Sequence, residues 1–164
     1  MSSEHETAVK ALVRKPFPEG AYGRRAAFGN VDHHVVRLSA SQEFWEDRSE
    51  EVVGPARAAI EREHDLLARA LSQRWGPAET VQLDDDGGAV AAFFGDGAET
   101  MLAWSCPEFD RWVGLAVVQA DAELPYELFA GVSRGVDWPG RGAEPGSGGG
   151  NEDGGAGDGE GGGP

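Results

Sequence analysis

Val53, Ala56, Ile60, His64, Leu67, Leu71 and Trp75 recur at spacings of three and four through an otherwise polar stretch. That period gathers them on one face of an α-helix, and the chain must then supply an apolar surface for the face to cover. Trp75-Gly76-Pro77 ends the run. Glycine takes a left-handed cap readily, and a proline just beyond it prevents continuation. Upstream, helix is expected from about Gln42, with the Ser39 or Ser41 hydroxyl accepting first-turn N–H groups. Pro55 lacks an N–H donor, so a break is expected at Gly54-Pro55, or two helices with Pro55 opening the second. Arg57/Glu61 and Asp65/Arg69 are spaced to form ion pairs on the flanks.

The partner surface reads as β-structure. Val31–Leu38 is β-branched and short enough for a strand. After the helix, apolar runs alternate with turn chemistry. Thr80–Leu83 is followed by Asp84-Asp85-Asp86-Gly87-Gly88, Ala89–Phe94 by Gly95-Asp96-Gly97, and Glu99–Trp104 by Ser105-Cys106-Pro107-Glu108. Phe109–Ala120 is the longest run, nearly unbroken from Trp112 to Val118, which implies burial on both faces. Leu124–Val132 completes the set. Short connections imply antiparallel neighbours. The expected fold is therefore α+β, with an amphipathic helix packed on an antiparallel meander of about five to six strands. This order resembles the cystatin-like or NTF2-like wrap, in which a sheet curls around a helix, and that topology serves inhibitors, ligand carriers and enzymes alike.

Outside this unit, residues 1–30 are expected to form a short helical or irregular arm and loop, interrupted by Lys15-Pro16-Phe17-Pro18. Residues 31–138 form the expected α+β domain. From Pro139 to Pro164, 13 of 26 residues are glycine, five are acidic and no Val, Leu, Ile, Phe or Met occurs, so a disordered tail is expected. No apolar run is long enough to cross a membrane, and the polar N-terminus lacks the apolar core of a signal peptide. With Cys106 as the single cysteine, a cytoplasmic location is expected. Scarce Lys, Ile and Asn beside abundant Ala, Gly and Arg suggest a GC-rich bacterial genome.

The formal charge is −15, unevenly spread. Residues 1–40 hold six basic and four acidic groups, while residues 41–138 hold seven basic and twenty acidic ones. Such a body repels nucleic-acid phosphates and anionic membranes and steers cationic partners toward itself.

Few residues suggest chemistry. Gly131-Val132-Ser133-Arg134-Gly135 matches the nucleophile-elbow pattern, but the next residues are not a helix, and the last histidine, His64, precedes the serine. Cys106 lies in a turn and reads as an incidental thiol. His33 and His34, adjacent on a strand, point to opposite faces and cannot share one metal, and His64 reads as a partly buried helix residue. Asp84–Asp86 lack calcium-loop spacing. Meander parity places Asp84, Asp85 and Asp86 at one sheet end with Glu108 and Asp110. The aromatics Phe17, Tyr22 and Phe28 interleave with Lys15, Arg24 and Arg25, and this arm is expected to dock on its own acidic body. Phe44-Trp45, Trp104 and Trp112 read as core or interface.

No catalytic residue, cofactor or metal ligand is assigned. The expected function is non-enzymatic: an adaptor, chaperone or toxin-neutralising protein that binds a basic protein partner, with Asp84, Asp85, Asp86, Glu108 and Asp110 as interaction residues. The alternatives are a small-ligand-binding protein or cavity enzyme, and an inhibitor that mimics DNA.

Overall fold

The computed structural model describes residues 2–83 and 88–140. In it the periodic stripe forms one unbroken helix, α2 (Glu50–Trp75). It starts at Glu50 rather than near Gln42, with Ser49 at the cap position in extended conformation. The Ser49 carbonyl accepts the N–H groups of Val52 and Val53, and Asp47 Oδ1 accepts the Ser49 N–H at 2.9 Å. Ser39 and Ser41 are not caps. Ser39 Oγ donates to Glu63, and Ser41 Oγ accepts the Tyr126 N–H. The expected break at Gly54-Pro55 does not occur. Pro55 lies in the second turn, where its ring forfeits one helical hydrogen bond without ending the helix. Ile60, Leu67 and Leu71 are buried along the stripe. Gly76 (φ +91°) closes the helix, donating its N–H to the Ser72 carbonyl.

The surface under α2 is a seven-stranded antiparallel sheet in the order β1-β2-β3-β7-β6-β5-β4. The strands are β1 (Tyr22–Arg24), β2 (Ala27–Asn30), β3 (His33–Ala40), β4 (Glu79–Gln82), β5 (Thr100–Cys106), β6 (Arg111–Val118) and β7 (Glu127–Arg134). Two departures from the sequence reading stand out. Residues 89–94, expected as a strand, form helix α3 (Gly88–Gly95), which covers the second face of the sheet. Residues 1–30 are not an arm outside the domain. α1 (Ser2–Arg14) packs beside α2 in the same core, and β1 and β2 extend the sheet.

The result is three layers. On one face α1 and α2 bury Val9, Val13, Ile60, Leu67 and Leu71 against Trp104, Val113, Leu115, Leu128 and Val132. On the other, Val90, Ala91 and Phe94 of α3 meet Met101, Ala103, Trp112, Ala116 and Phe129. This double cover explains why β6 reads as continuous apolar sequence: both sets of alternating side chains are buried. Gly131 lets α3 approach, since a Cβ there would lie 2.6 Å from Val90 Cγ1. A wrap around a single helix is therefore replaced by a sandwiched sheet. The strand before α2 pairs with the last strand, β7.

Arg111 fastens α1. Its guanidinium donates to the Val13 and Lys15 carbonyls at 2.8 and 2.6 Å and lies 3.9 Å from the Phe17 ring centroid. It thereby satisfies carbonyls that the end of a helix leaves open. Beyond β7 the chain makes a short 3-10 turn, Gly135–Asp137, and the Trp138 ring packs edge-on to Trp112. Residues 141–164, most of the expected tail, lie outside the described residues. No described helix is long and apolar enough to cross a membrane.

Candidate acidic interaction groove

The nucleophile candidates are locked inside the fold. Ser133 is buried on β7, its Oγ donating to the Asp32 carbonyl at 2.9 Å, and a 3-10 turn follows it. Cys106 is fully buried, and burial, reinforced by the nearby Glu108 carboxylate, pushes its thiol pKa up to about 12. A thiol held neutral in this way is a poor nucleophile.

The histidines diverge. His33 Nδ1 lies 2.8 Å from Asp32 Oδ1, and this hydrogen bond holds the Asp32 carboxyl below its ordinary pKa. His34 points to the opposite face and is fully buried. Its Nε2–H donates to the Pro16 carbonyl at 3.0 Å, which leaves Nδ1 to accept the Tyr22 hydroxyl at 2.7 Å. Gly29 makes room for that contact, because a Cβ there would lie 2.7 Å from the Tyr22 ring. Phe17 packs on the His34 ring, and Lys15 Nζ lies 4.9 Å from the Tyr22 ring centroid. Phe17 packs at the edge of the core on one face of the sheet and Phe28 on the other. The Tyr22–His34 bond itself had no sequence signal. His5 reaches Glu63 across α1 and α2. Among the described residues no three His, Cys, Asp or Glu side chains are grouped to hold a metal.

The parity argument for the interaction residues fails because α3 replaces a strand between β4 and β5. Asp84, Asp85 and Asp86 lie outside the described residues. Leu83, just before them, donates its N–H to the Glu99 carbonyl at the sheet end where α2 begins. Glu108 and Asp110 are exposed at the opposite end, in the turn between β5 and β6. There they share the surface with Arg14, stacked on Phe109, and Arg134, paired with Asp137.

The end at which α2 begins is one acidic rim. Gln119 N–H donates to the Gly97 carbonyl, and Phe44 N–H to the Glu123 carbonyl. These bonds join three loops that carry Asp96 and Glu99, Asp121 and Glu123, and Glu43, Glu46 and Asp47. Arg37, Arg48 and Arg57 are the cations nearby, each in an ion pair with Glu127, Glu123 and Glu50 respectively. Trp45 projects from this rim, 62% exposed, while Phe44 beside it is buried.

From the rim an open groove of about 650 Å³ runs between α2 and strands β4 to β6. Glu61, His64 and Asp65 of α2 line one side, and Thr80, Glu99 and Thr100 the other, above a floor that includes Leu102, Leu115 and Val117, whose side chains face α2. Sequence reading gave Glu61 and Asp65 to helix ion pairs that do not form. Arg57 turns to Glu50 at 3.0 Å, and Asp65 is met by His64 Nδ1 at 3.0 Å instead of by Arg69. Among the described residues Glu61 and Glu99 make no ion pair. The arrangement presents carboxylates from facing elements with an apolar floor between them. That suits a cation carried on an aliphatic stem. The signal available in sequence was the Glu61/Asp65 spacing itself, which puts both carboxylates on one flank of the stripe.

No protein-family model, curated protein or solved structure matches this chain.

Proposed function

We propose that this chain is a non-enzymatic interaction protein that engages a basic protein partner, seating one of the partner's Lys or Arg side chains in the groove beside α2. The observation that carries this reading is the pair of carboxylates Glu61 and Glu99, without an ion pair among the described residues, which line one groove whose apolar floor opens onto the acidic rim. The rim's field accelerates encounter, and the groove supplies the place where charge and stem are recognised together. Exposed Trp45 adds a large apolar contact of the kind that dominates binding energy at interfaces. The same field repels nucleic-acid phosphates. The single, buried Cys106 accords with action in the cytoplasm.

A titration with an arginine-rich peptide, followed residue by residue through backbone amide shifts, tests the location. Saturable shifts at Glu61, His64, Asp65, Glu99 and Thr100 are expected. Shifts confined to the Glu108–Asp110 turn, or a uniform drift without saturation, would reject the groove. The groove's volume also suits a small organic cation. On that second reading a monomeric arginine ester would bind as tightly as the peptide.

A further inference from the structure

The β1–β2 hairpin presents cations at the edge of the sheet farthest from the acidic groove. Arg24 and Ala27 are the last paired residues, so Arg25 and Ala26 form a two-residue loop. Arg25 has φ +61°, a region that glycine ordinarily occupies in such turns. A long cationic side chain held there against the backbone preference is local strain of the kind that accompanies a working surface. Arg24 and Arg25 are exposed, and among the described residues neither makes an ion pair, whereas Arg37, Arg48, Arg57 and Arg134 each do. Arg62, Arg69 and Arg74 also make none, but they lie along α2 and not at the tip of a hairpin.

The loop is firmly mounted. The Ala26 carbonyl accepts the Arg37 N–H at 2.7 Å, and the Tyr22 hydroxyl donates to His34 Nδ1 at 2.7 Å. Such mounting reduces the ordering cost of a contact made at the tip. The hairpin cannot fill its own chain's groove. In the strand order, β3 and β7 stand between β2 and the nearest groove strand, β6, a separation of about 14 Å at ordinary strand spacing.

We infer that the groove's basic partner is a second copy of this chain, whose Arg25 enters the groove lined by Glu61 and Glu99 while its Arg24 meets the acidic rim. This inference rests on the reading of the groove as a site for a Lys or Arg side chain. Charge complementarity selects the occupant: carboxylates without an ion pair lie beside α2, and guanidinium groups without one lie at the far edge of the same sheet. The guanidinium fork matches a carboxylate, and its aliphatic stem suits the floor of Leu102, Leu115 and Val117. The two surfaces differ, so the contact is heterologous. Each added copy leaves one hairpin and one groove open, and association runs head to tail past the dimer. A charge of −15 on every copy opposes this at low ionic strength. Physiological salt screens that repulsion beyond ~8 Å and leaves the close contact in the groove.

Sedimentation of the full chain at physiological ionic strength, from ~10 µM to ~1 mM, tests the inference. The weight-average mass is expected to climb with concentration past that of a dimer. Arg24→Gln with Arg25→Gly removes the hairpin's cations and relieves the backbone at the turn. Glu61→Gln with Glu99→Gln removes the groove's carboxylates. Each double variant alone should self-associate at least ~10-fold more weakly than wild type. Mixed, they should form a one-to-one dimer and nothing larger, because the first keeps only its groove and the second only its hairpin. That rescue would also show both variants folded. A wild type that stays monomeric or stops at a dimer, undiminished association in either variant, or a mixture that forms no dimer would overturn the assignment. The arginine-rich peptide distinguishes this failure from failure of the groove. If it saturates at Glu61 and Glu99 while wild type stays monomeric, only the second copy is rejected, and if it does not bind, both readings fall.

Discussion

At the scale of single residues, His34 is the most deeply buried polar side chain among the described residues. It is fully buried, both ring nitrogens are committed, and it is flanked by Lys15, Tyr22, Phe17 and Arg111. Burial, the largest influence, holds its pKa below the ordinary 6.5, and the nearby Lys15 and Arg111 charges act in the same direction. The unfolded chain therefore binds this proton more readily than the folded one. The resulting stability is complete above the unfolded value near 6.5 and is lost as pH falls from there toward the lower folded value. Denaturant midpoints should fall between pH 7 and pH 5, and the fall should shrink in His34→Gln, which cannot titrate. A wild-type midpoint that stays flat over this range would show that the imidazole protonates without strain. Sequence reading recognised that His33 and His34 face opposite ways, because strand alternation is local. It missed the Tyr22 contact, since that depends on a hairpin register made possible by the absence of a Cβ at Gly29.

At the scale of elements, the periodic stripe was the most legible part of the chain, and its burial makes a sharp contrast. Leu67 is wholly buried between α2 and the sheet, whereas Arg69 is exposed on the same helix. Leu67→Ala should destabilise by ~2–5 kcal/mol, and Arg69→Ala by less than ~0.5 kcal/mol, as chemical denaturation would measure. Comparable small losses would mean that the stripe is not packed as described. The element that sequence misread is α3. Its apolar run Ala89–Phe94 is too short and too uniformly apolar to show a period, and strand and buried helix look alike in such a window. The hairpin β1–β2 was missed for another reason. Strands of three and four residues carrying glycine and arginine have little strand propensity of their own and exist by pairing with β3. The helix start at Ser49 was misplaced because several serines upstream offer equivalent capping chemistry, and only the path of β3 across the sheet decides among them.

At the scale of the whole molecule, the charge asymmetry seen along the sequence becomes an asymmetry in space. The loops near the start of α2 are acidic, while Lys15, Arg24, Arg25 and Arg111 cluster around the β1–β2 edge and the end of α1. Composition revealed the excess charge but not its focus, since Glu61 and Glu99 come to line one groove only when α2 lies across β5. The proposed recognition of a basic partner depends on this geometry and not on net charge alone. Two variants that remove the same charge separate these possibilities. Glu61→Gln, Asp65→Asn and Glu99→Gln together empty the groove of carboxylates, and Glu19→Gln, Glu108→Gln and Asp110→Asn together remove as many from elsewhere. The decisive measurement is the affinity of each for an arginine-rich peptide at low and physiological ionic strength. At physiological salt, where fields between exposed charges fade beyond ~8 Å, the groove variant should lose at least ~10-fold while the control stays close to wild type. Equal losses in the two variants, vanishing together as salt rises, would contradict the groove and leave only nonspecific attraction.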